Sequence, residues 1–187
     1  MNSWTDHLDA AGIKLASFDV FDTLISRKCG APETIFRMAG QKLRDRGLLD
    51  LSARLFEQMR VRAERQARQH RALGEVSLVE IYAELNRFWL VPERTLREMI
   101  DCELQTEREN LFAIPGALAL VQQARRAGKR VAFISDMYLP QEFLHEVLVE
   151  FNFLRPGDQL YVSNHCAASK AKGTLFPMVF APEAGGR

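Results

Sequence analysis

The sequence predicts a three-layer α/β protein, in which helices cover both faces of a parallel β-sheet and an all-helical segment interrupts the first crossover. Three apolar runs bounded by turn residues, at 13–21, 130–134 and 159–162, are typical of buried parallel strands. Segments with helical periodicity separate them, as crossover connections do. A crossover needs only about a dozen residues, so the long stretch between the first two strands must hold an insertion.

This spacing divides the chain into three parts. Residues 1–26 and 113–187 are the first and second parts of the core, and residues 27–112 form an inserted segment of about four helices. A single helix at 140–151 connects the second and third strands, which is the ordinary arrangement of a parallel sheet.

Residues with known positional preferences mark the helix ends. Proline suits the first turn of a helix because its missing N–H would have no partner there, and glycine suits the position just beyond the last turn. Ser77 and Glu80 fit a capping box ahead of an apolar helical face. The prolines at predicted helix starts are Pro32, Pro92, Pro115 and Pro140, and the glycines at predicted ends are Gly47 and Gly128.

Charge is unevenly distributed within the insert. Residues 51–71 hold six arginines and two glutamates, whereas residues 75–109 hold nine acidic residues and four arginines. We expect these helices to lie beside each other and neutralise each other, with pairs such as Glu64 and Arg68 at i,i+4. A basic helix that binds nucleic acid is the less favoured alternative.

Composition excludes several classes of protein. The 187 residues are 47% hydrophobic and 26% charged with a formal net charge of +1, so nothing draws the chain to nucleic acid or an anionic membrane. No apolar run reaches the ~18 residues of a membrane span. The first residues lack the basic start and apolar stretch of a signal peptide, and the three cysteines lack metal-type spacing. These features predict a cytoplasmic protein.

A reactive side chain follows each predicted strand. Asp19 ends the first strand, where open α/β sheets place ligands and where a carboxylate can attack phosphorus or carbon. Ser135 ends the second strand and can donate a hydrogen bond to a substrate oxygen. Lys170, after the third strand, adds a positive charge at the start of a helix. An aspartate alone would more often cap a turn, but the three in this order predict an active site.

These residues resemble the motifs of the haloacid dehalogenase (HAD) superfamily of hydrolases. The matching positions are Asp19, Thr23 and Leu24 in the first motif, Ser135 in the second and Lys170 in the third. The resemblance implies a Rossmann-like core with an inserted type-one helical cap. It also implies that Asp19 is the nucleophile, that Ser135 and Lys170 hold the transferred group, and that the substrate is a small anion, most often a phosphate ester.

The chain departs from the family at the general acid. HAD phosphatases carry a second aspartate two residues after the nucleophile, whereas this chain carries Phe21, which has no proton to give. Asp22 is the candidate replacement, provided that the turn rotates it inward, because on an extended strand it would point to the opposite face. Dehalogenase-type members have an aromatic residue at this position, so metal-independent dehalogenation is an alternative.

The resemblance implies Mg²⁺ as cofactor. The expected ligands are the carboxylates of Asp19 and Asp136 and the carbonyl of Phe21, which are oxygen donors of the kind that Mg²⁺ prefers. The acidic fourth motif of the family is not found before Arg187. We therefore expect weak or no phosphatase activity, and a non-catalytic domain that binds a ligand or a partner is a further alternative.

Four residues near the motifs are candidate substrate-binding groups: Thr23, Arg27, Asp136 and Asn164. Arg27 follows the first motif, where substrate-facing residues are expected, although a solvated position is an equal alternative. Segments 18–24 and 135–140 are also similar to HAD domains that accompany glycosyltransferases in bacterial surface-polysaccharide systems.

The resemblance implies a sheet in which the first strand lies between the second strand and a fourth. No fourth strand is predicted in this sequence, so we expect the first strand to lie at the edge of the sheet. Unpaired N–H and C=O groups there would be a template for another strand. We expect a homodimer or a partner domain to cover this edge. In the alternative, the helix after Lys170 covers the edge within a monomer. Neither nucleic acid nor a membrane is an expected partner.

Overall fold

The structure is a computed structural model that describes residues 12–71 and 75–166 together with Gly173. These residues form two compact units. Unit 1 contains the residues up to Ser26 and those from Ala113 onward, and unit 2 contains Arg27–Phe112. None of the helices in the described part of the chain is long and apolar enough to cross a membrane.

Unit 1 is built on a three-stranded parallel sheet with strand order β1-β4-β5. The strands are β1 (Leu15–Asp19), β4 (Arg130–Ser135) and β5 (Gln159–Val162). Helix α5 (Ala117–Arg126) packs on β4, and α6 (Gln141–Glu150) packs on β5. These elements confirm the predicted α/β fold class with its parallel sheet.

The core of unit 1 lies against the central strand. Residues Val131 to Ser135 of β4 are all buried, as expected of a strand with a neighbour on each side. Phe18 and Phe133 are directly opposite each other in the β1–β4 register, and their ring centroids are 6.3 Å apart. Ala132 and Ile134 face the other side, where Tyr161 packs against them.

Unit 2 consists of four helices within the described residues: α1 (Pro32–Asp45), α2 (Ala53–His70), α3 (Leu78–Trp89) and α4 (Glu93–Asn110). Helix α1 packs on α2 and α4, and α3 packs on the same two helices. The predicted capping box is present at Ser77, whose hydroxyl accepts from the Glu80 N–H while the Glu80 carboxylate accepts from the Ser77 N–H.

Helices α1 and α2 approach each other closely at Gly40. A Cβ atom added to Gly40 would lie 2.8 Å from Cδ1 and 2.9 Å from Cβ of Phe56, which is fully buried. Phe56 in turn stacks on Trp89 of α3, with ring centroids 5.8 Å apart. Only glycine therefore fits at residue 40 with the helices in these positions.

A buried arginine stands at the centre of unit 2. Arg60 is 0% exposed and donates from Nε and Nη2 to the two carboxylate oxygens of Glu103, each at 2.9 Å. Its Nη1 donates to Glu64 at 3.0 Å, and its guanidinium carbon lies 4.3 Å from the ring centroid of Phe36. The Tyr82 hydroxyl donates to Glu103 at 2.8 Å. Every charge here has a partner, as burial requires.

Ion pairs join the basic helix α2 to acidic residues, as predicted. Glu64 and Arg68 form the expected i,i+4 pair with 2.8 Å between Oε1 and Nη2. Arg68 also pairs with Glu75, just before α3, and Arg60 pairs with Glu103 of α4.

Two short strands that were not predicted lie where the chain passes from one unit to the other. Strand β2 (Ile25–Arg27) pairs with β3 (Leu111–Ala113) in a separate two-stranded sheet. Within unit 2, the Lys28 N–H donates to the Asn110 carbonyl at 2.8 Å. Runs of three residues carry too little periodicity to be recognised in a sequence.

Several predicted boundaries are corrected. The first strand, predicted at 13–21, is limited to Leu15–Asp19, because residues 20–25 turn back on themselves. Pro115 and Pro140 precede their helices, which begin at Ala117 and Gln141, whereas Pro32 is the first residue of α1. In the described part of the sheet β1 is a terminal strand, paired with β4 alone. Self-association through its outer edge stays a prediction.

Candidate active site at the carboxyl end of the sheet

Asp19 is the last residue of β1, and its side chain is exposed. Strand β1 alternates along its length, with Ala16 and Phe18 buried and Ser17 and Asp19 exposed. This alternation is the period of two that a strand imposes on its side chains. The apolar residues therefore anchor the strand and leave the Asp19 carboxylate at the carboxyl end of the sheet, where ligands bind in such folds.

Ser135 and Asp136 end the neighbouring strand at the same edge. Asp19 is paired in register with Ile134, so Ser135 lies one step further along β4. Ser135 is 2% exposed and Asp136 is partly buried. Because successive side chains alternate between faces, Ser135 is on the face of the sheet opposite to that of Ile134 and Asp19. A group bound at Asp19 would meet the Ser135 hydroxyl beyond the ends of the strands.

The turn after β1 is tightly hydrogen-bonded. The Val20 carbonyl accepts from the N–H groups of Leu24 (2.9 Å) and Ile25 (3.1 Å), and the Asp22 N–H donates to the Ile25 carbonyl (2.8 Å). Phe21 forms an isolated bridge with Ile25. Thr23, a candidate substrate-binding residue, is exposed in this turn.

Asp22 has a left-handed backbone, with φ of 58°. Aspartate tolerates this conformation better than most residues. Its exposed side chain accepts a hydrogen bond from the Ser26 hydroxyl, with 2.8 Å between Oγ and Oδ1. The expectation that Asp22 would point away from Asp19 assumed an extended strand. Strand β1 ends at Asp19, so the alternation rule does not apply to Asp22.

Residues after β5 contact the loop after β4. The Ser163 Oγ accepts from the Met137 N–H at 3.0 Å, and the Asn164 Nδ2 donates to the carbonyls of Tyr138 (2.8 Å) and Leu139 (2.9 Å). From its place in the sequence Asn164 was expected to be a substrate ligand, and Ser163 had no expected role. These contacts depend on which loops meet in the fold, and nothing in the local sequence signals them.

Arg27, the other candidate substrate ligand, lies in unit 2. Its Nε donates to Glu107 Oε1 at 2.7 Å, and the two side chains are 8% and 1% exposed. Burial raises the pKa of Glu107 to about 7 even though Arg27 opposes this shift, and nearby Glu103 adds to it. The guanidinium is therefore buried beside a carboxylate, and a solvated surface position is excluded. The sequence signal that could have revealed this pair is a glutamate on the buried face of α4.

Lys170, the third predicted catalytic residue, lies outside the described residues. Within the described residues, Asp19, Ser135, Asp136 and Asn164 lie around the carboxyl ends of three parallel strands. Asp22 and Thr23 lie in the turn after β1.

The oxygen donors expected to bind Mg²⁺ are of the right chemical type. Asp19 ends β1, Asp136 follows the adjacent strand β4, and Phe21 is two residues beyond Asp19. Two carboxylates and a carbonyl match a cation that keeps several water or substrate oxygens in its shell. Within the ranges that the structure describes, no three His, Cys, Asp or Glu side chains are grouped closely enough to hold a metal on their own.

The chain has the fold of the HAD hydrolases, with a Rossmann-like parallel core and a helical unit inserted after the first strand. It is similar to the HAD-hydrolase YfnB from Bacillus subtilis, described as putative and bound to magnesium, at 15% identity and a TM-score of 0.58 over 92% of this chain and 76% of that one. A dehalogenase with an intermediate complex matches at 15% identity and a TM-score of 0.50, over 89% and 70%.

A third similar structure is an L-2-haloacid dehalogenase from Xanthobacter autotrophicus with chloropropionic acid covalently bound. It is 14% identical, with a TM-score of 0.50 over 89% of this chain and 63% of that one. At these identities the likeness establishes the fold alone. No protein-family model and no curated protein matches the sequence.

Proposed function

We propose that this protein is a HAD-type hydrolase in which Asp19 is the nucleophile and the substrate is a small phosphate ester. The observation that carries this proposal is the exposed Asp19 carboxylate at the carboxyl end of β1, beside the strand end that bears Ser135 and Asp136. The HAD fold supports it, because the fold places its ligands at this edge.

In the proposed reaction an Asp19 oxygen attacks the phosphorus of the ester. A bond forms between Asp19 and phosphorus while the bond to the alcohol oxygen breaks, and the alcohol takes up a proton. Asp22 is the proposed proton donor, since Phe21 has none to give. Water then attacks the aspartyl phosphate, releases phosphate and restores the carboxylate. Splitting the reaction in two is the advantage of covalent catalysis.

Asp19, Asp136 and the Phe21 carbonyl would hold Mg²⁺ in this site, and Ser135 and Lys170 would hold the transferred group. Bound Mg²⁺ would offset the negative charges of the carboxylate and the phosphate. Thr23 is a further proposed contact, and Arg27 is a weaker one because its guanidinium already binds Glu107.

A second candidate function is metal-independent dehalogenation of a small haloacid. Phe21 stands where dehalogenase-type members carry an aromatic residue, and dehalogenases are among the structures with this fold. Here Asp19 would attack carbon and displace halide. No proton donor is then needed for the leaving group, which fits the lack of one at Phe21.

The test is capture of the covalent intermediate. The full chain is incubated with acetyl phosphate or p-nitrophenyl phosphate and Mg²⁺, and peptides are analysed by mass spectrometry. We expect Asp19 to carry one phosphoryl group, and Asp19→Asn to abolish both labelling and turnover. Turnover should be slow, because a general acid is typically worth ~10²–10⁴ in rate. Asp101→Asn, an exposed position on α4, is the control with unchanged labelling.

Parallel incubation with a 2-haloacid and EDTA distinguishes the candidates. Halide release that depends on Asp19 without Mg²⁺ would replace the phosphatase proposal with the dehalogenase one. If the phosphate esters do not label Asp19 and the 2-haloacid releases no halide, both proposals fail and the alternative of a non-catalytic binding domain is favoured.

A further inference from the structure

Side chains that follow β5 hold the loop after β4. Residues Asp136 to Leu139 connect the end of β4 to α6, directly after Ser135. Three backbone groups of this loop bond to side chains of Ser163 and Asn164, which follow β5. Two adjacent residues after one strand thus fix the loop after its neighbour.

Asn164 carries a neutral primary amide, which is suited to its two contacts. Its Nδ2 donates to the carbonyls of Tyr138 and Leu139 at 2.8 and 2.9 Å. A primary amide nitrogen carries two hydrogens, so it can satisfy both acceptors. Because both partners are acceptors, the orientation of the amide is determined.

The same geometry makes Asn164 a poor ligand for an anionic substrate. Both donor hydrogens are directed at the loop, and the remaining polar atom, Oδ1, is an acceptor. An acceptor cannot donate a hydrogen bond to a phosphate or carboxylate oxygen. The side chain therefore acts on the loop.

Ser163 supplies the matching acceptor on the preceding backbone group. It is 0% exposed, and its Oγ accepts from the Met137 N–H at 3.0 Å. Tyr138 and Leu139, the next two residues, are 5% and 0% exposed and anchor the loop in the core. The Met137 N–H would lose its side-chain partner without this hydroxyl, which is costly for a partly buried group.

We propose that Ser163 and Asn164 are positioning residues, which hold the loop 136–139 and so fix how Ser135 and Asp136 are presented at the carboxyl end of the sheet. This inference rests on the proposed function for its link to catalysis. Its structural content, the fixed loop, does not depend on that function. A site built to bind a small anion needs such support, because displacement by about 1 Å is enough to lose much of its effect.

The test uses two variants and one control in the full chain. Ser163→Ala removes the acceptor of the Met137 N–H, and Asn164→Asp keeps the shape of the side chain while replacing both donor hydrogens with a charge that faces two carbonyls. His165→Ala changes the adjacent exposed residue and serves as control. If Asn164→Asp does not fold, Ser163→Ala still tests the same loop.

The first measurement is amide hydrogen exchange of residues 136–139 with NMR assignment. We expect the Met137 amide to exchange roughly ten-fold faster in Ser163→Ala, as loss of one hydrogen bond to a partly buried group implies. Exchange in His165→Ala should match wild type. Unchanged Met137 exchange in both Ser163→Ala and Asn164→Asp would overturn the proposal.

The second measurement separates positioning from general destabilisation. With a phosphate ester, a displaced Ser135 should raise KM by roughly ten-fold or more, because its hydroxyl would bind the substrate less well. A variant that merely unfolds in part would lower kcat and leave KM unchanged, and that result would reject the catalytic link. If wild type shows no turnover at all, the proposed function fails, while the exchange experiment still decides whether Ser163 and Asn164 hold the loop.

Discussion

At the residue scale, the pair of Glu107 and Arg27 shows how burial sets protonation. Glu107 faces Arg27 of β2, Glu103 of its own helix and Arg60 of α2, and its pKa is raised to about 7 because burial disfavours the charged form. Unfolding would return the pKa to its ordinary value of 4.5. Unit 2 should therefore lose stability as pH rises between these two values, because the folded state holds a proton that the unfolded state has lost.

Glu107→Gln should remove this dependence. The neutral isostere should match wild type below about pH 4, where the carboxyl is protonated in both states. At pH 8 it should exceed wild type by about 1–3 kcal/mol, because each tenfold difference in proton affinity between the folded and unfolded states corresponds to about 1.4 kcal/mol. Urea unfolding followed by circular dichroism at pH 3.5, 6.5 and 8 measures the difference. A variant less stable than wild type at pH 8 would show that the ion pair with Arg27 outweighs the cost of burial.

Glu103→Gln is the matched control one helical turn earlier. Glu103 accepts two hydrogen bonds from Arg60 and one from Tyr82, so the substitution leaves the buried guanidinium with Glu64 as its one remaining carboxylate partner among the described residues. We expect a loss of about 3–5 kcal/mol across the same pH range, as for other broken buried pairs.

Some functional residues could be predicted from the sequence, and others could not. Asp19 and Ser135 could be located because a strand pattern and a following turn are local properties of the chain. The roles of Ser163 and Asn164 could not, since their partners are 25 or 26 residues away and depend on the arrangement of two loops. Arg27 was predicted as a substrate or surface residue because its partner Glu107 is 80 residues later in the chain.

At the element scale, the contact between α1 and α2 depends on Gly40. Glycine within a helix costs about 1 kcal/mol relative to alanine, so its presence needs a compensating reason. Here the reason is Phe56, which occupies the space that a Cβ atom would need.

Gly40→Ala should destabilise the protein by up to about 2 kcal/mol. The overpacking cost of ~1–3 kcal/mol exceeds the gain in helix propensity of ~1 kcal/mol. Urea unfolding gives the value, and Gln41→Ala on the exposed side of the same helix should change it by less than about 0.5 kcal/mol. In a Phe56→Ala background the sign should reverse, because the alanine then has room. Stabilisation in both backgrounds would disprove the steric argument.

Elements with strong local signals could be predicted, and the others could not. The capping box at Ser77 and the strand at 159–162 were found where predicted, since each is specified by adjacent residues. Strand β1 is shorter than predicted because its apolar run continues through Val20 into the hydrogen-bonded turn. Strands β2 and β3 exist only through their mutual pairing, which no local pattern encodes.

At the scale of the whole molecule, unit 2 begins and ends at neighbouring points. The Lys28 N–H bonds to the Asn110 carbonyl, and the Lys28 ammonium donates to the Glu109 carbonyl at 2.9 Å. The unit has its own core, including Arg60 and its partners, and adjacent termini are common in domains that fold alone.

A fragment of residues 27–112 should therefore fold by itself. We expect a helical circular dichroism spectrum and a single cooperative unfolding transition, because these residues form a compact unit with a core of its own. The same fragment with Arg60→Ala should melt at a much lower temperature, since Glu103 would be left buried without its cation. A non-cooperative melt of the unchanged fragment would show that unit 2 needs the rest of the chain.

The pairing of β2 with β3 also bears on how fast the protein reaches its native state. Strand β1 must find β4 across the whole of unit 2, with Leu15 opposite Arg130, and such distant pairings are slow to form. If residues 28–110 collapse first, only residues 20–27 and 111–129 remain in the effective loop, and the entropy cost of closing it falls by about 1 kcal/mol. The inserted helices would then act as a nucleus for assembly of the sheet, and substitutions inside them would slow the pairing of β1 with β4.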